Sequence, residues 1–291
     1  MRIGFLGTGL MGKPLAQRLL SAPLPVVVYN RTQSKLEALR DAGAMVADSP
    51  ENAIASSDCI ILMLSDAAAI EQVLLSENAK QQLKNRTVIQ MGTISPSQSQ
   101  ELQKQVVAAG GDYLEAPVLG SIPEAEAGKL IVMVGATEEQ FQKWSNLLQN
   151  FGSYPRLIGP VGTAAAVKLA LNQLISSLTT AFALSLGFVQ NQGVEVESFM
   201  EILRQSALYA PTFDKKLQRM LDRNYANPNF PTKHLLKDTN LFLDAAISVN
   251  LNASSLSGVR EILEIAQQMG LSNEDYSSLF EAIISNPVAS E

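Results

Sequence analysis

The sequence predicts an α/β fold: a doubly wound, mainly parallel sheet domain over residues 1–161, then an all-helical domain over residues 162–291. Three observations predict it. Short β-rich runs alternate with helix-spaced apolar stretches through the first half, the pattern of a parallel sheet with helices on both faces. A glycine-rich turn follows the first of these runs. After about Pro160 the strand signals stop and only helical periodicity remains.

Taken in order, the strand candidates are Arg2–Leu6, Val26–Asn30, Ala44–Ala47, Cys59–Leu64, Thr87–Met91, Asp112–Val118, Leu130–Val134 and a short run near Tyr154–Ile158. Leu10–Leu20 and Ser97–Ala109 carry apolar residues at helical spacing between them. The second half reads as the helices Ala164–Gln190, Val196–Ser206, Pro211–Asp222, Lys233–Val249 and Ser255–Met269. Gly159-Pro160-Val161-Gly162 marks the change of pattern, and a cleft where two domains meet is a common place for an active site.

The chain has 291 residues, 46% hydrophobic and 17% charged, a composition that argues against disorder. A net charge of -6 argues against nucleic acid or an anionic membrane as partner, since both need a positive surface. Ala164–Phe188 is the most lipid-like stretch, but Lys168, Asn172, Gln173 and several hydroxyls interrupt it, so it reads as a buried helix. No charged and apolar leader precedes Met1-Arg2-Ile3-Gly4-Phe5, and the single cysteine suits a reducing compartment; a cytoplasmic protein is expected. Cys59 lies in an apolar run and reads as a core residue, not a nucleophile. One cysteine and one histidine leave little to build a metal site on, and none is expected.

Gly7-Thr8-Gly9-Leu10-Met11-Gly12 is G-x-G-x-x-G, placed after a strand candidate and before a helical one. In that context Gly7 permits the tight turn, Gly9 lets the backbone approach a pyrophosphate, and Gly12 allows close helix–strand packing. The first domain is therefore expected to be a Rossmann-type dinucleotide-binding domain. About 20 residues on, where an NAD-binding chain carries an acid for the ribose hydroxyls, this one has Asn30-Arg31-Thr32. An arginine there can hold an extra phosphate, so NADP(H) is the expected cofactor.

Lys168 and Asn172 lie four apart among Ala, Val and Leu, so a helix presents them on one face. Carbonyl reduction needs a proton delivered to oxygen as hydride reaches carbon, and such a lysine can deliver it. From the residues alone, a lysine snorkelling to the helix surface is an equal alternative.

Four motifs in order resemble those of the β-hydroxyacid dehydrogenases, over nearly the whole chain. They are Gly4–Pro14, the Glu115–Ser121 segment with Ala125–Gly128, the helix start Gly162–Asn172, and Phe230–Asp238. Within that family the sequence is most similar to the glyoxylate/succinic semialdehyde reductases, through Met63–Asp66 and Phe230–Asp238. The resemblance implies that Lys168 is the catalytic acid/base and that Asn172 holds the substrate. It implies that Gly120 and Ser121 bind a substrate carboxylate and that Thr93 lies beside the nicotinamide ribose or the substrate. Leu64 and Ser65 would line the cofactor, and Lys237, steadied by Asp238, would reach its nicotinamide side; by themselves those two read as a solvated pair. A small aldehyde or hydroxy acid is the implied substrate, and a homodimer or homotetramer the implied assembly.

Leu119 and Gly92 stand where the family usually has serine, and Ala164 where glycine is frequent. These leave the reaction class intact and put the substrate in question. His234 is read as a packing residue, because Lys168 already fills the acid role. A 3-hydroxyisobutyrate or tartronate semialdehyde enzyme and a noncatalytic NADPH-binding module are the competing readings.

Overall fold

The computed structural model describes residues 1–285. Its strands are β1 (Ile3–Leu6), β2 (Val26–Tyr29), β3 (Met45–Val46), β4 (Cys59–Leu62), β5 (Thr87–Gln90), β6 (Asp112–Glu115), β7 (Val118–Leu119), β8 (Ile131–Gly135) and β9 (Arg156–Gly159). They form one sheet in the order β3-β2-β1-β4-β5-β6-β8-β7, with β9 pairing β8. Neighbours from β3 to β6 run parallel, and β8 runs antiparallel to β6. The first six positions follow the doubly wound dinucleotide-binding order, so the expected α/β fold is found.

The strands β1, β2 and β4 are almost wholly apolar because both of their faces are covered. Successive residues alternate between two cores. Ile3, Phe5, Val26, Val28, Cys59 and Ile61 join Leu15, Leu19 and Trp144 on one face. Leu6, Val27, Ile60, Leu62 and Val88 join Ile54, Ile70 and Leu102 on the other.

One strand differs from expectation. Asp112–Val118 is not continuous: β6 stops at Glu115, and Val118–Leu119 forms a separate strand antiparallel to β8. Pro117 lies in the gap and has no N–H to extend the ladder. The break ends the parallel ladder at β6 and lets Val118–Leu119 join the sheet beside β8.

The chain divides into two compact units, Met1–Leu169 and Ala170 onward, within the helix Thr163–Asn191. The second unit is helical, with Val196–Gln205, Pro211–Leu221, Thr232–Ser248, Ser254–Gln268 and Leu279–Ile284. Phe182, Met200, Phe213, Leu217, Leu235, Leu263 and Phe280 form its core. Phe182 and Phe213 stack with centroids 4.8 Å apart. Lys216 is buried there, and its ammonium donates to both oxygens of Asp275 at 2.7 and 2.9 Å. Thr163–Asn191 is the one described helix long and apolar enough to cross a membrane, a test that core helices of soluble proteins also pass. Its Phe182, Ala183 and Leu186 are buried in this helical core.

Candidate active site

The parallel register carries several expected site segments to one edge. Leu6 pairs with Leu62, Leu62 with Gln90, and Gln90 with Glu115, so the loops after β1, β4, β5 and β6 all leave the sheet at its carboxyl end. Those loops contain Gly7–Gly12, Leu64 and Ser65, Thr93, and Ala116–Ser121 respectively. Ligands of open α/β sheets bind at this edge.

The nucleotide loop has the shape its glycines suggest. Gly7 has φ +100°, and a Cβ there would lie 2.3 Å from the Met63 carbonyl oxygen. A Cβ on Gly12 would lie 1.9 Å from the Gly7 carbonyl oxygen, while one on Gly9 would meet nothing within 4 Å. Leu10 and Met11 complete the turn, and the helix Gly12–Ser21 begins with no side-chain cap and no acid in its first turn. Its first amides are thus left to another anion. The Thr8 hydroxyl is buried without a hydrogen-bond partner among the described residues. An open Gly9 backbone, uncapped amides and an orphaned hydroxyl fit a dinucleotide phosphate.

Asn30 has a role that composition did not reveal. Its Oδ1 accepts from the Thr8 N–H at 3.2 Å and its Nδ2 donates to the Thr32 carbonyl at 3.0 Å. It ties the end of β2 to the nucleotide loop and leaves Arg31 and Thr32 exposed beside it. Ser65 is exposed after β4 and donates to Asp66 at 2.8 Å, while Asp66 caps the helix Ala67–Leu74. Thr93 is half-buried after β5. Gly92 has a steric reason to differ from serine, because a Cβ would lie 2.6 Å from the Leu64 carbonyl oxygen.

The substrate segment has a partner of its own. Gly120 has φ +138° and packs against Leu130 and Glu124, so glycine is required. Ser121, however, donates both its N–H (2.8 Å) and its hydroxyl to the Glu124 carboxylate. The donors expected to meet a substrate carboxylate hold a protein carboxylate, because Ser121 begins the helix Ile122–Ala127 and Glu124 closes its capping box.

Lys168 is half-buried, in the second turn of the helix Thr163–Asn191. Sequence reading named Glu115 only as the start of a motif. Its side chain is 1% exposed, and Oε1 accepts from the Gly162 N–H at 2.9 Å and the Ala165 N–H at 3.0 Å. Ser99 donates to its other oxygen. Burial pushes the Glu115 carboxyl above its usual range, against the opposing pull of these hydrogen bonds. The available signal was the lack of a Ser, Thr, Asp or Asn N-cap at Gly162, which leaves the helix start to find its acceptor elsewhere.

In the second unit, Asn172 is 2% exposed and donates to Asp238 Oδ2 at 2.6 Å. Lys237 lies 2.8 Å from Asp238 Oδ1. The Asp238 side chain is only 3% exposed, so this pair is not the solvated one that composition alone suggests. His234 stacks on Phe230 with centroids 6.5 Å apart. Cys59 is fully buried in β4, and burial drives its thiol well above the ordinary value, leaving it no use as a nucleophile.

Residues 2–162 match the family described as the NAD-binding domain of 6-phosphogluconate dehydrogenase. Residues 162–283 match the NAD-binding region of NADP-dependent 3-hydroxyisobutyrate dehydrogenase. Glyoxylate/succinic semialdehyde reductase 2 (chloroplastic) of Arabidopsis thaliana is 34% identical over 97% of this chain and 79% of its own length. The 2-hydroxy-3-oxopropionate reductase of Escherichia coli K12 is 32% identical over 97% of both chains. A 3-hydroxyisobutyrate dehydrogenase structure from Salmonella typhimurium superposes with TM-score 0.86, at 23% identity and covering 97% of this chain and 99% of its own, which is likeness of fold. With its glycine loop, strand order and helical second unit, the chain belongs to the 3-hydroxyisobutyrate dehydrogenase-like family and is an NAD(P)-dependent oxidoreductase of the hydroxyacid dehydrogenases.

Proposed function

We propose that this enzyme reduces a short aldehyde bearing a carboxylate, succinic semialdehyde or glyoxylate, to the hydroxy acid with NADPH. One observation carries the reading. The helix that bears Lys168 is hydrogen-bonded at its start to Glu115, at the sheet edge from which the nucleotide loop also leaves. Lys168 then donates a proton to the carbonyl oxygen and recovers one from solvent. A bound NADPH supplies the hydride. Asn172, its amide oriented by Asp238, helps hold the substrate, and Lys237 attends the nicotinamide side. The substrate carboxylate exchanges with Glu124 at the Ser121 donors, beside Gly120. Exposed Leu174, Leu178, Leu184 and Phe188 on the long helix are where we place contact between copies in a dimer or tetramer.

The names of the relatives support two substrate choices, and Leu119 favours one. It is half-buried on β7, and its apolar bulk suits a methylene chain better than the compact, hydroxylated tartronate semialdehyde. A substrate panel with NADPH tests this. We expect kcat/KM to be higher for succinic semialdehyde than for tartronate semialdehyde, and poor for butyraldehyde. An aldehyde without a carboxylate leaves Ser121 on Glu124 and forgoes the charge-assisted hydrogen bonds of the exchange, each worth about 1.5–3 kcal/mol.

Cofactor choice rests on Arg31. Its exposed position after β2 suits an extra phosphate on the adenosine ribose. Arg31→Ala is expected to weaken NADPH binding by about 1.5–3 kcal/mol, the range for a hydrogen bond to a charged group, and to leave NADH binding nearly unchanged. Equal use of NADH and NADPH by the unaltered enzyme would contradict the assignment.

A further inference from the structure

We propose that Glu115 is a positioning residue that sets the height of Lys168 above the sheet edge by capping the lysine's helix from β6. This deepens the reading of Lys168 as the acid and rests on it. The helix Thr163–Asn191 follows Gly162, which has φ +102° and no side chain with which to cap its own first turn. Glu115 supplies the missing acceptor from 47 and 50 residues away, through the Gly162 and Ala165 amides. A negative group is also favoured at that end of the helix by its dipole.

The carboxylate is also held at its second oxygen. Ser99 donates to its second oxygen, and Tyr113 lies 2.9 Å from the same Ser99 hydroxyl. On β8, a Cβ at position 135 would lie 2.4 Å from Glu115 Oε1, so Gly135 leaves room for the side chain to cross. Gln100 Nε2 donates to the Val161 carbonyl at 3.3 Å, a second tie at the helix start. Lys168 is three residues beyond Ala165, about 4.5 Å along the axis at 1.5 Å per residue. Helical side chains lean toward the N-terminus, so the lysine leans back over the turn that Glu115 holds. The residue after Glu115 opens the Ala116–Ser121 segment, so one carboxylate anchors the acid's helix where the substrate segment leaves the sheet.

A double-mutant cycle in the full chain tests the proposal. E115D shortens the arm by one carbon and keeps the charge; G135A pushes the same carboxylate from the opposite side. With saturating NADPH and succinic semialdehyde, E115D is expected to lower kcat by about 10-fold or more, since a displacement near 1 Å can cost as much as 10²-fold. Its NADPH Kd should stay within about threefold of wild type, and E115Q, which keeps the reach, should lose less than E115D. In a Lys168→Ala background E115D should cost under about twofold, because the side chain it positions is gone. Equal losses in both backgrounds, or no loss in either, would overturn the proposal. If E115D fails to fold, G135A is read by the same criteria, and failure of both assigns Glu115 to stability alone. A near-normal Lys168→Ala enzyme would instead overturn the acid assignment. An inactive Lys168→Ala enzyme with an unaffected E115D would remove only the role of Glu115.

Discussion

Lys168→Ala is expected to lower turnover by about 10²-fold or more, the usual scale for loss of a general acid, while NADPH binding persists. The reason lies in separate elements. The nucleotide loop is shaped by Gly7, Gly9, Gly12 and Asn30 at the end of β1 and the start of the following helix. Lys168 comes from a helix far along the chain and takes no part in forming that loop. Removing its ammonium would take away the proton donor we assign to the aldehyde oxygen, so kcat is expected to fall while cofactor affinity holds. Lys168→Arg should fail as well, because arginine stays protonated and cannot hand over its proton. Steady-state rates beside NADPH titration by fluorescence check both statements. Near-normal turnover in Lys168→Ala would move the acid elsewhere, with His234 the next group to examine.

The second large effect is expected in the glycine loop, where two alanine substitutions should separate. A Cβ at position 12 would sit 1.9 Å from the Gly7 carbonyl oxygen, so the backbone itself must move. Overpacking of this kind typically costs about 1–3 kcal/mol, and a shift in this turn also displaces the amides that meet the pyrophosphate. Gly12→Ala is therefore expected to lower Tm by several degrees, at about 2–4 °C per kcal/mol for a unit of this size, and to abolish measurable NADPH binding. A Cβ at position 9 meets no protein atom within 4 Å. Gly9→Ala should keep the wild-type Tm and still weaken NADPH, because the new methyl stands where the phosphate approaches. Thermal melts with and without NADPH distinguish the two, and equal Tm losses would mean that the loop tolerates no side chain for reasons unrelated to ligand.

Much of the fold was legible because its strongest signals are local. Four-residue apolar strands between turns, and apolar residues at helical spacing, announce themselves in short windows of sequence. Two of the elements that escaped reading are short. Pro50–Ala55 and Glu77–Gln81 have six and five residues, too few to show a period, and are held by the Ser49 and Ser76 caps. The split of Asp112–Val118 into β6 and β7 was signalled only by Pro117, which the apolar run around it outweighed. Among site residues, Gly7, Gly9 and Gly12 were legible because their role is backbone space. Glu115 and Ser99 were not, since their contacts depend on which side chains and amides meet across the fold, whereas Ser121-x-x-Glu124 is a local capping pattern that was passed over. A buried glutamate and an exposed one have the same letter. What separated them here was a missing cap 47 residues downstream.

We propose that this chain uses NADPH to reduce a short aldehyde acid, with Lys168 as proton donor. The measurement that tests it most directly follows NADPH consumption and hydroxy-acid formation together, for the unaltered enzyme and Lys168→Ala, with succinic semialdehyde and butyraldehyde. The account predicts one hydroxy acid formed per NADPH consumed with succinic semialdehyde, little turnover with butyraldehyde, and NADPH bound but scarcely consumed in Lys168→Ala. NADPH bound by the unaltered chain and left unconsumed with every short aldehyde acid would contradict it, and would make the chain a nucleotide-binding module; equal rates with butyraldehyde would remove the carboxylate pocket.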